Sequence, residues 1–176
     1  MGEDFPNVET CDGLREGWAR VEEMWSATMT AAAALPEPTL HRSVNDEWSF
    51  VETLRHLVFV SDAWVRRAIL DEERAFDRLS YPPDFVVDVR PWGIDVTAKP
   101  SFAEIAVVRR DRADAVRSVV DALTPDEFAR ATTVGSAPGF PPPGSSFTVG
   151  FCLGVVVNEE RFHHGFATRD LARLGA

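Results

Sequence analysis

The sequence has few cysteines and no long apolar segment. Its two cysteines, Cys11 and Cys152, are too few for a disulfide framework, so we expect a protein of a reducing compartment. Apolar runs such as residues 31–35 and 155–157 are far shorter than the roughly 20 residues that cross a bilayer. Residues 1–13 are acidic and carry no apolar segment, so we expect no signal peptide, no membrane partner and a cytoplasmic location.

Positive charge is also scarce. The chain has 18 Lys and Arg residues against 28 Asp and Glu, a net charge of −10, and its one lysine is Lys99. Proteins that bind nucleic acid neutralise phosphates with clustered cations, and no such cluster is present, so we expect no nucleic-acid partner. The length of 176 residues suits one domain, spanning residues 1–176, with a sizeable core.

Most of the sequence has the periodicity of amphipathic helices. Apolar residues recur at three- and four-residue steps over about residues 14–35, 49–70, 101–123 and 148–174, and a short helix is predicted at 125–131. The proline-rich stretch 132–147 is predicted to be a loop, and residues 86–89 are the best candidate for a strand. The pattern therefore predicts an all-α protein, an antiparallel bundle of four long helices with one short extra helix and long loops.

Two polar residues interrupt the apolar stripe of the last helix. Glu160 falls in the middle of the stripe, and His164 falls at its edge one turn later. An unpaired buried carboxylate costs several kcal/mol, so Glu160 must be protonated, ion-paired or bound to a metal. The four-residue spacing allows both side chains to reach one ion. A purely structural alternative stays open, in which an arginine neutralises Glu160 and His164 bonds to it.

A third ligand can come from the second helix. His56, within LRHLVFV, lies away from the polar face of that helix, and facing helices of a bundle are where metal sites are assembled. The tandem histidines leave a second register open, because Glu159 and His163 are also four residues apart. Both lie toward the flank of the apolar stripe, so the sequence favours His56, Glu160 and His164 as ligands, with His163 in a supporting or packing role.

Two segments carry a resemblance to a known family. NDEWSFVETLRHLVFVSDAW and NEERFHHGFATRDLARL resemble the signature segments of the DinB-like superfamily, which includes mycothiol-dependent maleylpyruvate isomerases. The resemblance implies a four-helix bundle with a metal between the second and last long helices, held here by His56, Glu160 and His164. Many members have histidine at the middle position, and Glu160 resembles the His/Glu/His variant of the isomerase branch. The resemblance also implies a homodimer.

These observations lead to a functional expectation. Two imidazoles and one carboxylate suit one zinc or nickel ion, and three protein ligands leave a coordination position open, as in catalytic sites. The resemblance favours an enzyme, a thiol S-transferase or isomerase that joins a low-molecular-weight thiol such as mycothiol to a small electrophilic substrate. Two alternatives remain, a metal-dependent hydrolase that activates water and a metal-binding protein without turnover. The sequence identifies no general acid and no substrate-binding residue.

Overall fold

The computed structural model describes residues 5–175 and shows a helical bundle. Within that range the helices are α1 (Cys11–Ala33), α2 (Glu37–Leu40), α3 (Phe50–Ser61), α4 (Phe102–Asp121), α5 (Pro125–Ala129) and α6 (Val149–Leu174). Helix α1 packs against α4 and α6, and α3 packs against the same two helices. The predicted all-α fold is confirmed. None of the helices among the described residues is long and apolar enough to cross a membrane.

Side-chain caps fix where the long helices begin. Ser49 and Ser101 accept hydrogen bonds from the backbone N–H groups of Glu52 and Glu104, and both glutamates return a bond to the cap residue. These two capping boxes are the ones that the S-x-x-E spacing predicts. Thr148 caps α6 more simply, by accepting from a backbone N–H in the first turn. The starts of α3 and α6 are therefore determined locally.

The core lies where the four long helices meet. Helix α3 is buried on nearly every side, because it is covered by α4 and α6 and by the long connection that follows it. All nine side chains that the helical periodicity predicts to be internal are buried, namely Trp18, Val21, Trp25, Leu54, Leu57, Val65, Leu153, Val156 and Leu171.

Helix α3 ends earlier than its apolar pattern indicates. The chain continues from it as a π-helical segment, Asp62–Arg67. Asp62 is fully buried there, and its carboxylate accepts hydrogen bonds from Arg112 Nε (2.6 Å), Ser80 Oγ (2.8 Å) and the backbone N–H of Asp77 (2.8 Å). Single π-turns of this kind occur frequently next to functional sites.

A small β-hairpin borders the proline-rich loop. Strand β1 (Ala131–Thr133) pairs antiparallel with β2 (Ser146–Thr148), directly before α6. Periodicity did not predict these strands, because each contributes only three residues. Residues 86–89, the best strand candidate in the sequence, lie outside any strand and lead into a short 3₁₀ helix, Arg90–Trp92.

Candidate metal centre

His56, Glu159 and His163 bring their ligand atoms together between α3 and α6. One atom from each residue lies within 4.8 Å of the other two. Glu159 Oε2 lies 3.5 Å from His56 Nε2 and 3.3 Å from His163 Nε2. Two atoms bound tetrahedrally to zinc, each about 2.0–2.1 Å from it, lie about 3.4 Å apart. The spacing and the chemistry of these three groups therefore fit one divalent transition-metal ion.

The surroundings orient both histidine rings. The carbonyl oxygen of Tyr81 lies 3.1 Å from His56 Nδ1, and because a carbonyl can only accept, Nδ1 carries a proton and Nε2, which faces the cluster, is the nitrogen left to bind a metal. Trp48 contacts both rings, at 4.6 Å from the centroid of His56 and stacked at 5.8 Å on His163. The bond from His56 to a carbonyl oxygen is the kind of contact by which metal-binding histidines hold their rings in place.

The carboxylate of the cluster is ionised. Hydrogen bonds from His163 and His56 lower the pKa of Glu159 to about 2, against the opposing effect of its partial burial. Glu159 is therefore in the state that binds a cation, without competition from protons at neutral pH.

The cluster is open to one side. The side chain of Glu159 is 39% exposed, whereas those of His56 and His163 are 6% and 15% exposed. All three residues line a cavity of about 290 Å³. A ligand can therefore reach the cluster through the cavity, as a catalytic site requires.

The structure places two of the three predicted ligands, Glu160 and His164, away from this cluster. Glu160 is fully buried, and its carboxylate oxygens accept hydrogen bonds from Arg109 Nη1 (2.7 Å) and Nη2 (2.5 Å). His164 faces α1, where its Nε2 lies 2.8 Å from Thr28 Oγ1 and its ring meets Trp25 edge-on at 5.2 Å. The structure thus brings His56 together with Glu159 and His163, the register that the sequence left as second choice. Glu160 is paired with an arginine, which is the structural alternative that the sequence left open for this residue.

The register follows from the geometry of α6. The middle of its apolar stripe points to the centre of the bundle, which Arg109 reaches from α4. Glu159 and His163 each come one position before Glu160 and His164, which is a rotation of about 100° around the helix axis. This rotation turns Glu159 and His163 toward α3. A flanking position, rather than a central one, therefore meets His56.

Sequence reasoning missed the arginines of α4. The buried positions of α4 follow a heptad-like spacing, Ile105, Arg109, Arg112, Val116 and Val120. Two arginines thus occupy core positions, and each meets a buried carboxylate, Glu160 or Asp62. That spacing is visible in the sequence and could have identified Arg109 as the partner of Glu160. Trp48 and Tyr81, which orient the histidines, carry no comparable signal.

Comparison with known proteins gives the family. A family model of the DinB superfamily matches residues 20–167, most of the 176-residue chain. The chain belongs to the DinB superfamily. The matched range contains His56, Glu159 and His163, so the whole cluster lies within the DinB domain. No curated protein and no solved structure matched the chain.

Proposed function

We propose that this DinB protein is a metal-dependent enzyme that activates a low-molecular-weight thiol at His56, Glu159 and His163. The observation that carries the proposal is the convergence of two imidazoles and a carboxylate at the wall of a cavity. Three protein ligands leave room for an external ligand on the ion, which distinguishes catalytic zinc sites from closed structural ones. We further propose zinc or nickel as the ion, since both accept this mixed nitrogen and oxygen set.

The charge of the site favours an anionic ligand. Glu159 supplies one negative charge and the two histidines bind as neutral rings, so a divalent ion would keep one uncompensated positive charge. Such an ion, when bound, lowers the pKa of a coordinated thiol and stabilises the thiolate, the nucleophilic form. Tyr81 and Trp48 hold the histidines in the orientation that binding needs. The reaction proposed is addition or transfer of that thiol, with mycothiol as the candidate, to an electrophilic carbon.

Metal binding is the first test. Chelator-treated protein would be titrated with Zn²⁺ and with Ni²⁺ by calorimetry, comparing His163→Ala with its neighbour variant His164→Ala. Loss of a ligand should weaken binding by more than about 100-fold, whereas loss of His164, which faces α1, should leave it nearly unchanged. Equal losses in the two variants, or binding that depends on His164 alone, would contradict the ligand set.

Turnover is the second test. The metal-loaded protein would be assayed with mycothiol and an electrophile such as 1-chloro-2,4-dinitrobenzene, following thioether formation and chloride release. Activity should require the metal and should be lost in Glu159→Gln. Metal binding without thiol consumption would favour the alternative of a non-catalytic metal-binding protein, and ester or amide hydrolysis without thiol would favour the hydrolase.

A further inference from the structure

Aromatic and aliphatic side chains form nearly all of the cavity beside the cluster. Its volume of about 290 Å³ is near the lower end of the range for small-molecule sites, roughly 300–1,000 Å³. Besides the three cluster residues, its lining consists of Trp48, Phe59, Val60, Trp64, Pro83, Phe85, Phe140 and Val155. The cavity is thus shaped for a small molecule with a large apolar surface.

Cationic groups are absent from the lining of this cavity among residues 5–175. Its ionisable side chains are those of His56, Glu159 and His163, and neither arginine nor lysine is among the lining residues. A substrate carboxylate or phosphate would have to give up its hydration here without gaining an arginine or lysine partner, which disfavours its binding. Apart from the ion itself, whose remaining positive charge the proposed thiolate neutralises, the lining therefore favours an uncharged occupant.

The proline-rich loop holds one aromatic wall in place. Arg67 is buried, and its guanidinium donates to the carbonyl oxygens of Pro141 (3.2 Å) and Ala137 (2.5 Å). A Cβ atom at Gly139 would lie 2.8 Å from the guanidinium carbon, so the loop passes too close for a larger residue at that position. Phe140 is thereby fixed against the cavity.

The aromatic rings are arranged around an open space. The ring of Phe140 stacks on Phe59 at 6.3 Å and meets Trp64 edge-on at 6.0 Å. Phe85 contacts Phe140 edge-on at 6.0 Å, yet 74% of its surface is exposed. A ring inserted at this rim would cover apolar surface that otherwise faces water, and would add further favourable ring contacts.

We infer that the cavity binds an uncharged, single-ring aromatic molecule and that this molecule is the electrophilic co-substrate. The assignment as co-substrate rests on the proposed thiol activation, whereas the binding of an uncharged ring rests on the cavity alone.

Two probes of similar shape test the charge preference. Acetophenone and benzoate would be titrated into chelator-treated protein by NMR, so that no metal can recruit the carboxylate. Acetophenone should bind saturably, at least about tenfold tighter than benzoate. Equal affinity, tighter binding of benzoate, or no saturable binding of acetophenone would overturn the inference.

Variants locate the binding to this cavity. Phe140→Ala should weaken acetophenone binding several-fold, whereas Phe162→Ala, on an exposed face of α6, should not change it. Val155→Lys adds a cation to the lining, and it should reverse the preference in favour of benzoate. That reversal is a gain of binding, so a folding defect cannot produce it, and a Val155→Lys protein that still prefers acetophenone would contradict the assignment.

The experiments distinguish a failure of the proposed thiol activation from a failure of the proposed aromatic binding. Acetophenone binding in a protein that takes up no metal would uphold the cavity and refute thiol activation. Metal uptake with thiol turnover, but without a preference for the uncharged probe, would refute the cavity alone.

Discussion

Removing Arg109 should destabilise the protein more than removing most surface charges. Its guanidinium donates two hydrogen bonds, of 2.7 and 2.5 Å, to Glu160, whose side chain has no exposed surface. Burial raises the pKa of Glu160, and the charge of Arg109 opposes that rise. Arg109→Met keeps an unbranched apolar side chain but leaves a buried carboxylate without its partner. We expect the free energy of unfolding to fall by about 3–5 kcal/mol.

A double variant shows how much of this loss comes from leaving one charge buried without its partner. In Arg109→Met/Glu160→Met neither charge remains, and replacing a buried ion pair by apolar residues of similar size is often neutral or stabilising. The double variant should therefore recover most of the loss of the single variant. It should also keep its metal affinity, because neither residue is among the proposed ligands.

Urea unfolding followed by circular dichroism measures these differences. The exposed neighbour Arg110→Met serves as the control and should change the unfolding free energy by less than about 0.5 kcal/mol. A loss below 1 kcal/mol in Arg109→Met, or a double variant as unstable as the sum of its single variants, would refute the reasoning. Loss of metal binding in the double variant would return Glu160 to the list of ligands.

Three further predictions concern the helices and the thiols. Ser49→Ala removes the cap of α3 and should lower the unfolding free energy by about 1 kcal/mol; an unchanged urea midpoint would contradict the cap's contribution. Gly150→Ala should destabilise the protein, because the added Cβ would lie 2.5–2.7 Å from atoms of an aromatic ring. Gly165→Ala should be neutral or stabilising by up to about 1 kcal/mol, because no atom lies within 4 Å of its added Cβ. A higher melting temperature for Gly150→Ala than for Gly165→Ala would be inconsistent with these contacts. Burial raises the pKa of Cys152 to about 12, so native protein at pH 8 should be alkylated at the partly exposed Cys11 alone, as measured by mass spectrometry of peptides. Because this pKa lies above the ordinary value of 9.0, the contribution of the Cys152 thiol to stability is complete below pH 9 and is lost as the pH rises toward 12. Alkylation of Cys152 in the folded protein at pH 8 would show that this thiol is not buried.

Local signals explain why the helices could be predicted from the sequence. Ser49 and Ser101 mark their own helix starts through bonds to residues three positions later, and prolines end α1. The end of α3 could not be predicted in this way. Its apolar pattern continues beyond Ser61, whereas the change to π-helical bonding occurs at Asp62, whose partner Arg112 lies 50 residues away in the sequence.

The site could be predicted in part. The position of His56 on a buried helix, and a glutamate four residues before a histidine on α6, both follow from periodicity. The choice between Glu159 and Glu160 does not, because it depends on which of them an arginine neutralises. Arg109 lies 51 residues from Glu160, and its role emerges only when core positions of α4 are compared with those of α6.

Helix α4 thereby decides which carboxylate is left for the metal. Suppose that α6 rotated to bring Glu160 toward His56: Arg109 would lose its partner within the core, and the stripe of apolar residues on α6 would turn away from the bundle. Each of these changes would cost several kcal/mol of folding free energy, which is a large share of the stability of a chain of this size. One additional metal ligand would not offset that loss. In the observed arrangement Glu160 is held by a guanidinium, whereas Glu159 contacts His56 and His163. We infer that the apolar stripe and the buried ion pair together fix the rotation of α6, and that the pairing of Glu160 with Arg109 leaves Glu159 as the carboxylate that completes the proposed metal site.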